Sequence, residues 1–362
     1  MFENAFENNI IPPKNSVIAV AMSGGVDSST SASFLKTYAQ NNPSLNWEVF
    51  GVSGIFTESM TESCEEASQI AKSIGIQHYI VDLRKEFEEI IIKNFLKQYS
   101  EGYTPMPCML CNYEFKWGLL RQKAFELSAN YFSTGHYVRL EKNQNNNYYL
   151  GRASDETKDQ TYMLWRLNQE QLKHSVFPLA NIRKANIIAK QIQKQQESQD
   201  ICFIKEKTFD FLEKHLRKKE GLIIHKENKK NLGKHMGTHF FTIGQRKGIG
   251  LANSKPLYVC EIDAKNNIVY VGERPSLMAK GLIACDANWQ IADCKEQKDF
   301  EALVKIRYAS KPFLTRVIPE EKGFKLIFKE EQEAVTLGQA AVLYDLNFKF
   351  MLGGGWISQR ID

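Results

Sequence analysis

Ser23-Gly24-Gly25-Val26-Asp27-Ser28-Ser29 is the stretch that decides the fold. It follows a β-branched and apolar run, 17–21, that reads as a short strand. It precedes a segment, 28–38, in which Phe34, Leu35 and Tyr38 fall on one side of a helix. Adjacent glycines let the backbone approach an anion closely, and the open N–H groups at a helix start attract negative charge. Ser28 and Ser29 can add hydrogen bonds to the same ligand. The segment lacks the Gly-Lys-Ser/Thr ending of a Walker A loop and is not Gly-x-Gly-x-x-Gly. It reads instead as a pyrophosphate cradle, formed by Ala21, Met22, Ser23, Gly24, Gly25, Val26, Asp27 and Ser28, suited to splitting ATP between its α and β phosphates. Asp27 is placed to help hold Mg²⁺, which takes one or two carboxylate oxygens besides waters and substrate phosphate. The plainer reading is a tight turn with Asp27 as a helix cap.

Outward from the loop, strands at 47–55, 78–81 and 131–134 alternate with helices at 63–74, 87–99 and 114–129. Such alternation predicts an α/β domain with a parallel sheet covered on both faces. A polar hairpin is expected around 143–147. The texture changes after residue 204: a helix near 209–216 is mixed with short strands and Gly-marked turns. From 278 the chain reads as all β, with Ala302, Val304, Ile306 and Tyr308 alternating on one face and a turn at Lys322-Gly323. The expected organisation is a loose arm at 1–15, a catalytic domain at 16–204, a small central domain at 205–277 and a β-barrel at 278–362.

Composition sets outer limits. With 43% hydrophobic and 25% charged residues over 362 positions, the chain is long enough for two or three cores and ordinary for a globular protein. It has neither a secretory leader nor an apolar run of membrane-spanning length, so a cytoplasmic location is expected. The formal net charge is only +5, but residues 205–256 carry 13 Lys and Arg against five Asp and Glu. That asymmetry points to a polyanionic partner for the middle of the chain.

Seven cysteines are too few for a disulfide scaffold. Cys108 and Cys111 stand three apart in a proline-marked loop ahead of a helix, where a thiol pKa can be lowered. Cys202 follows 91 residues after Cys111. Such a set can serve as a persulfide relay, ligate an iron–sulfur cluster, or contribute to a zinc site, although no second Cys-x-x-Cys supports zinc. Cys64, Cys260, Cys285 and Cys294 read as structural.

From Val17 to Arg360 the chain resembles the bacterial tRNA-specific 2-thiouridylases of the PP-loop, adenine-nucleotide α-hydrolase-like group. The resemblance rests on the 23–29 loop, 104–112, Thr134-Gly135-His136-Tyr137, Lys158-Asp159-Gln160, Asp200-Ile201-Cys202-Phe203-Ile204, 242–248 and 352–355. It implies that ATP adenylates the C2 oxygen of the wobble uridine, that Cys202 carries a persulfide sulfur to C2, and that Cys111 assists, leaving a Cys111–Cys202 disulfide. It further implies that Thr57 and Gly135 line the nucleotide site. Met106, Pro107 and Cys108 would touch the target base, and His136, Lys158, Asp159, Gln160, Arg307, Tyr308 and Gln339 the tRNA. The implied partners are tRNAs for Lys, Glu and Gln and a sulfur carrier or cysteine desulfurase.

The chain departs from that pattern at one point of chemical consequence. Many members have Asn-Pro-Asp before the catalytic cysteine, whereas this sequence has Met106-Pro107-Cys108, which removes the carboxylate and completes a three-cysteine set. An iron–sulfur cluster on Cys108, Cys111 and Cys202 therefore stands beside the relay as an expectation. Two other functions share parts of the pattern: a PP-loop enzyme adenylating another substrate, and a noncatalytic RNA-binding protein with a dead loop.

Overall fold

The computed structural model describes residue 6 and residues 9–188, 201–251 and 255–362. Asp200, which opens the Cys202 motif, and part of the 1–15 arm lie outside the described residues. The backbone divides into two compact units, one of residues 1–88, 108–199 and 347–353, the other of 89–107, 200–346 and 354–362.

The first unit is built on a parallel sheet of β1 (Val17–Ala21), β2 (Glu48–Ile55), β3 (His78–Asp82), β4 (Tyr131–Ser133) and a two-residue strand at Ser175–Val176, in the order β3-β2-β1-β4 and then Ser175–Val176. β1 is central, and Ile18, Ala19 and Val20 are wholly buried, which explains its continuous apolar reading. Helix α1 (Val26–Asn41) contributes Phe34 and Leu35 to the core, and α2 (Thr61–Ser73) contributes Ala67 and Ala71. From β1 the chain moves to β2 and β3 on one side, then crosses to β4 on the other. The loop leaving β1 thus sits at the switch point of strand order, where open α/β sheets take their ligands. The expected hairpin is present as an antiparallel pair, Val138–Lys142 with Tyr148–Arg152.

One sequence expectation is corrected here. The Cys-x-x-Cys pair does not lie in a loop before a helix at 114–129; the helix begins at Pro107, with an α turn at Pro107–Leu110, a π segment at Cys111–Leu120 and α again at Arg121–Glu126. Proline at a helix start has no N–H to lose and a φ already suited to the turn, so Pro107 opens the helix. The wide turns that follow let Trp117 reach Ser175 Oγ at 2.7 Å through Nε1 and Asn112 donate to the Met163 carbonyl at 3.1 Å.

In the second unit a four-stranded sheet is formed by Tyr258–Asp263, Ile268–Gly272, Gly221–His225 and Asn231–His235, in that spatial order. A closed six-stranded barrel follows, its strands running Met278–Trp289, Phe300–Lys305, Phe313–Glu320, Gly323–Glu333, Ala340–Tyr344 and Met351–Ile361. Ala302 and Val304 are wholly buried as the alternation requires, but the strand ends at Lys305. Arg307 and Tyr308 therefore lie in a turn and not on a strand face, with Ser310 Oγ donating to the Arg307 carbonyl at 2.8 Å. No described helix is long and apolar enough to cross a membrane.

A separate cluster of Phe95, Tyr99, Ile204, Phe211 and Leu212 takes in Ile201 and Phe203, the two side chains that flank Cys202. Phe95 is its hub, edge-on to Phe203 at 5.3 Å and 1% exposed. Phe95→Ala should lower stability by about 3–5 kcal/mol, read as an earlier urea midpoint of the second unit. It should also raise the protease sensitivity of the chain around Cys202.

Candidate active site

Steric necessity shapes the loop. Gly24 has φ +75°, and a Cβ there would stand 2.7 Å from the Ser63 carbonyl oxygen. Gly25 caps α1 without a side chain, leaving the N–H groups of the first turn open. Gly135 closes on the loop from outside: a Cβ on it would lie 2.7 Å from Ser28 N and 2.8 Å from the Asp27 carbonyl carbon. Ser28 and Ser29, expected to face a ligand, instead donate their hydroxyls to the Gly25 carbonyl at 3.0 and 2.9 Å. Ser28 Oγ also accepts from Ser23 N at 3.1 Å, so both serines hold the turn's shape.

The end of β1 is pinned beneath the loop. Met22 N donates to the Val52 carbonyl at 2.9 Å, and Ser53 Oγ donates to the Met22 carbonyl at 2.5 Å. His78 bridges Ser53 and Ser68 at 2.9 and 2.7 Å, and burial lowers its pKa. Thr57, just past β2, shares a hydrogen bond with Ser59 at 2.9 Å.

Sequence reasoning missed the most polar contact of the loop. Lys184, with a side chain 8% exposed, places Nζ 2.6 Å from Asp27 Oδ1. The Tyr137 hydroxyl donates to that same oxygen at 2.8 Å. Tyr137 is held in turn by Gln160, whose Oε1 accepts from Tyr137 N at 2.9 Å and whose N donates to the Tyr137 carbonyl at 3.1 Å. The oxygen expected to face Mg²⁺ is thus engaged by protein. No local spacing ties residue 184 to residue 27, so no sequence signal announced Lys184.

Residues expected to touch tRNA show structural attachments. Asp159 accepts from Ala153 N at 3.2 Å and Thr161 Oγ1 at 2.7 Å, 3.6 Å from Arg152 Nε. Lys158 is half-buried beside it. His136 shares a hydrogen bond with Thr134 Oγ1 at 2.8 Å and packs on Trp117. Burial, aided by the Lys116 cation, holds its pKa well below the ordinary value, so the ring is neutral. In the second unit the Arg307 guanidinium binds the Ala334 carbonyl and Thr336 Oγ1, and Tyr308 is 37% exposed with Lys305 over its ring. Gln339 is buried and donates to the Thr104 carbonyl at 2.7 Å, while Thr104 N donates to the Leu337 carbonyl at 2.9 Å. These bonds fix the backbone just ahead of Met106, Pro107 and Cys108.

The thiols differ by burial. Cys111 is buried and Cys108 half-buried, in the same unit as the phosphate loop; Cys202 is exposed, in the other. Burial pushes the Cys108 thiol up, against the pull of Lys116. Cys64, Cys260 and Cys294 are buried, and desolvation raises Cys260 and Cys294 to about 11. Cys285, read as structural with them, is half-buried. Among the described residues, neither unit by itself gathers three or more His, Cys, Asp or Glu side chains that could hold a metal ion.

Comparison with known proteins gives a consistent result. Three family models match in succession: a tRNA methyl transferase HUP domain over 16–206, a tRNA methyl transferase PRC-barrel domain over 209–273 and an aminomethyltransferase beta-barrel domain over 279–357. The chain is 39% identical over 366 residues to the tRNA-specific 2-thiouridylase MnmA 2 of Thermoanaerobacter sp. (strain X514), covering 96% of this chain and 99% of that one. It is 40% identical over 355 residues to the tRNA-specific 2-thiouridylase MnmA of Pelobacter propionicus, covering 95% and 98%. It is 38% identical over 361 residues to that of Halothermothrix orenii, covering 95% and 99%.

The burial pattern predicts an order of thiol reactivity. In native protein at pH 8, iodoacetamide should label Cys202 first and Cys108 slowly, leaving Cys64, Cys260 and Cys294 unlabelled until denaturant is added. Peptide mass spectrometry gives the order directly.

Proposed function

The chain belongs to the tRNA-specific 2-thiouridylase family, and from that premise we propose the chemistry its own residues carry out. It is an ATP-dependent tRNA sulfurtransferase that replaces the C2 oxygen of the wobble uridine with sulfur. One observation carries the reading of its site: a loop of open backbone N–H groups, kept clear by Gly24, Gly25 and Gly135, shares a compact unit with the Cys108–Cys111 helical turn.

Uridine C2 is a poor electrophile, because its carbonyl is conjugated with both ring nitrogens. ATP removes that obstacle. The C2 oxygen attacks the α-phosphorus, pyrophosphate leaves, and the oxygen becomes part of an AMP leaving group. The residues proposed to hold ATP are Ala21 to Ser28, with Thr57 and Gly135 at the rim. Mg²⁺, if it accompanies ATP, supplies charge neutralisation, with Asp27 as its protein ligand. The structural difficulty is that Asp27 Oδ1 is already engaged by Lys184 and Tyr137.

Sulfur arrives on Cys202 as a persulfide. Its terminal sulfur attacks C2 and AMP leaves; the Cys111 thiolate then attacks the inner sulfur of Cys202, the S–S bond to the transferred sulfur breaks with its electron pair going to the 2-thio group, and an external reductant restores both thiols. The exposure of Cys202 suits a thiol that must meet a separate donor protein, either a sulfur carrier or a cysteine desulfurase. Cys108 replaces a carboxylate, so protons at this step pass through water or another group.

RNA recognition is assigned to Met106 to Cys108, His136, Lys158 to Gln160, Arg307, Tyr308 and Gln339, with tRNAs for Lys, Glu and Gln as substrates. Support for a polyanionic partner also comes from the basic middle stretch. Lys214, Lys218 and Lys234 pair with Glu206, Glu213 and Glu220, but among the described residues Lys207, Arg217, Lys219, Arg246 and Lys247 make no ion pair. Charge left uncompensated on one stretch is what phosphates neutralise.

Four outcomes are expected. Cys111→Ser and Cys202→Ser should each abolish 2-thiouridine on mercury-affinity gels while leaving tRNA affinity within about twofold. Wild-type protein should form AMP only when cognate tRNA is present, and its tRNA affinity should fall by roughly 0.7 to 0.9 log units per tenfold of salt for each phosphate contact. AMP formation indifferent to tRNA would instead favour a PP-loop enzyme acting on another substrate. Protein purified without oxygen should be active free of iron; iron and acid-labile sulfide that are retained and required would replace the relay with a cluster on Cys108, Cys111 and Cys202.

A further inference from the structure

A loop that binds polyphosphate through backbone alone has a charge deficit, since amide dipoles attract phosphate without neutralising it. A Walker A loop meets the deficit with its own lysine, but residues 21–29 contain no Lys or Arg. The cation comes from far along the chain. Lys184 Nζ lies 2.6 Å from Asp27 Oδ1, and the Lys184 side chain is 8% exposed. Its backbone N–H is tied to Asp155 Oδ2 at 2.9 Å, and Tyr137 presents its ring 5.9 Å from Nζ.

A nearly buried ammonium cannot be left without an anion, because the desolvation penalty would then stand unopposed. It can exchange its carboxylate only for another anion, and the neighbouring cradle is shaped to admit one. The carboxylate faces the opposite problem. Asp27 is in the first turn of α1, where incoming phosphate and carboxylate repel each other unless a cation comes between them. Phosphate entering the cradle therefore competes with Asp27 for the Lys184 ammonium.

We propose that Lys184 is the phosphate-neutralising cation of this site and that the Asp27–Lys184 pair is a resting state which ATP opens. Lys184 passes from the carboxylate to the β and γ phosphates. Asp27, keeping Tyr137, is released toward the cation that accompanies ATP. In the adenylation step the uridine oxygen forms a bond to the α-phosphorus. The bond from that phosphorus to the bridging oxygen breaks, and its electron pair leaves with pyrophosphate. The charge that develops there falls on Lys184. This inference rests on the proposed use of ATP and names the residue that bears the leaving group.

The test uses full-length protein without tRNA or sulfur donor, so it is separate from thiolation. Binding of α,β-methylene-ATP, inorganic pyrophosphate and AMP is measured by equilibrium dialysis, and folding is followed by thermal melting. Lys184→Met should weaken the methylene analogue and pyrophosphate at least tenfold and leave AMP within about twofold. Lys184→Arg should recover part of the loss. Asp27→Asn, which removes the competing carboxylate, should tighten pyrophosphate severalfold in the absence of divalent cation.

Equal weakening of AMP and the analogue by Lys184→Met would make Lys184 a strut for the loop and overturn the proposal. So would weaker pyrophosphate binding in Asp27→Asn, and that arm decides the matter if the methionine variant does not fold. Wild-type protein that bound no analogue at all would instead sink the ATP-using reading.

Discussion

Close approach is the constraint on which this protein depends. Around the loop that follows β1, nothing larger than hydrogen can stand at two places that the fold brings together. Gly24 combines a left-handed φ with a contact to Ser63 that forbids a Cβ, and Gly135, more than a hundred residues on, is pressed against Ser28 and Asp27. The loop leaves the central strand of the sheet, β1, whose Ile18, Ala19 and Val20 are wholly buried. Ser28 and Ser29, with hydroxyls turned back onto Gly25, stiffen the turn from within. The N–H groups of the first turn of α1 are left without a side-chain cap.

How much of this was legible in sequence depended on how local each signal was. The strand, glycine turn and helix at 17–38 could be read because periodicity and turn chemistry act over a few residues. The barrel was visible through alternation at Ala302 and Val304, but the pattern ran past its strand, since Tyr308 continues the period while Ser310 turns the backbone. Cys108 and Cys111 were placed in a loop because two prolines usually interrupt helices; Pro107 at the first helical position is the case in which proline starts one. Lys184 and Tyr137 were illegible for a different reason. Their roles arise from a meeting across 157 and 110 residues, and nothing about Lys184 in its own neighbourhood distinguishes it from a solvated lysine.

The residues carried over as RNA contacts also have structural attachments of their own. Gln160 grips Tyr137 through its side chain and its backbone, and Tyr137 grips Asp27. The Lys158–Gln160 segment is therefore two hydrogen-bonded steps from the nucleotide loop, whatever else it touches. A displacement of Gln160 would move the Tyr137 hydroxyl and alter the partner set of Asp27. Hydrogen bonds in series thus tie this polar segment to the geometry of the 23–29 loop.

The same logic applies where the chain enters the cysteine turn. Gln339 is buried, and its amide is spent on the Thr104 carbonyl, while Leu337 takes the Thr104 N–H and Gly338, at φ +85°, lies with its Cα hydrogen against Tyr103 and Thr104. A glutamine so placed can reach RNA only by abandoning a buried hydrogen bond, at a cost of about 1–3 kcal/mol for the carbonyl left unpaired. Its larger effect is on position. The barrel loop holds the backbone at Thr104 from both its N–H and its carbonyl. Gln339 thus acts within the second unit as a clamp on Thr104, which accounts for an amide side chain buried in a barrel loop.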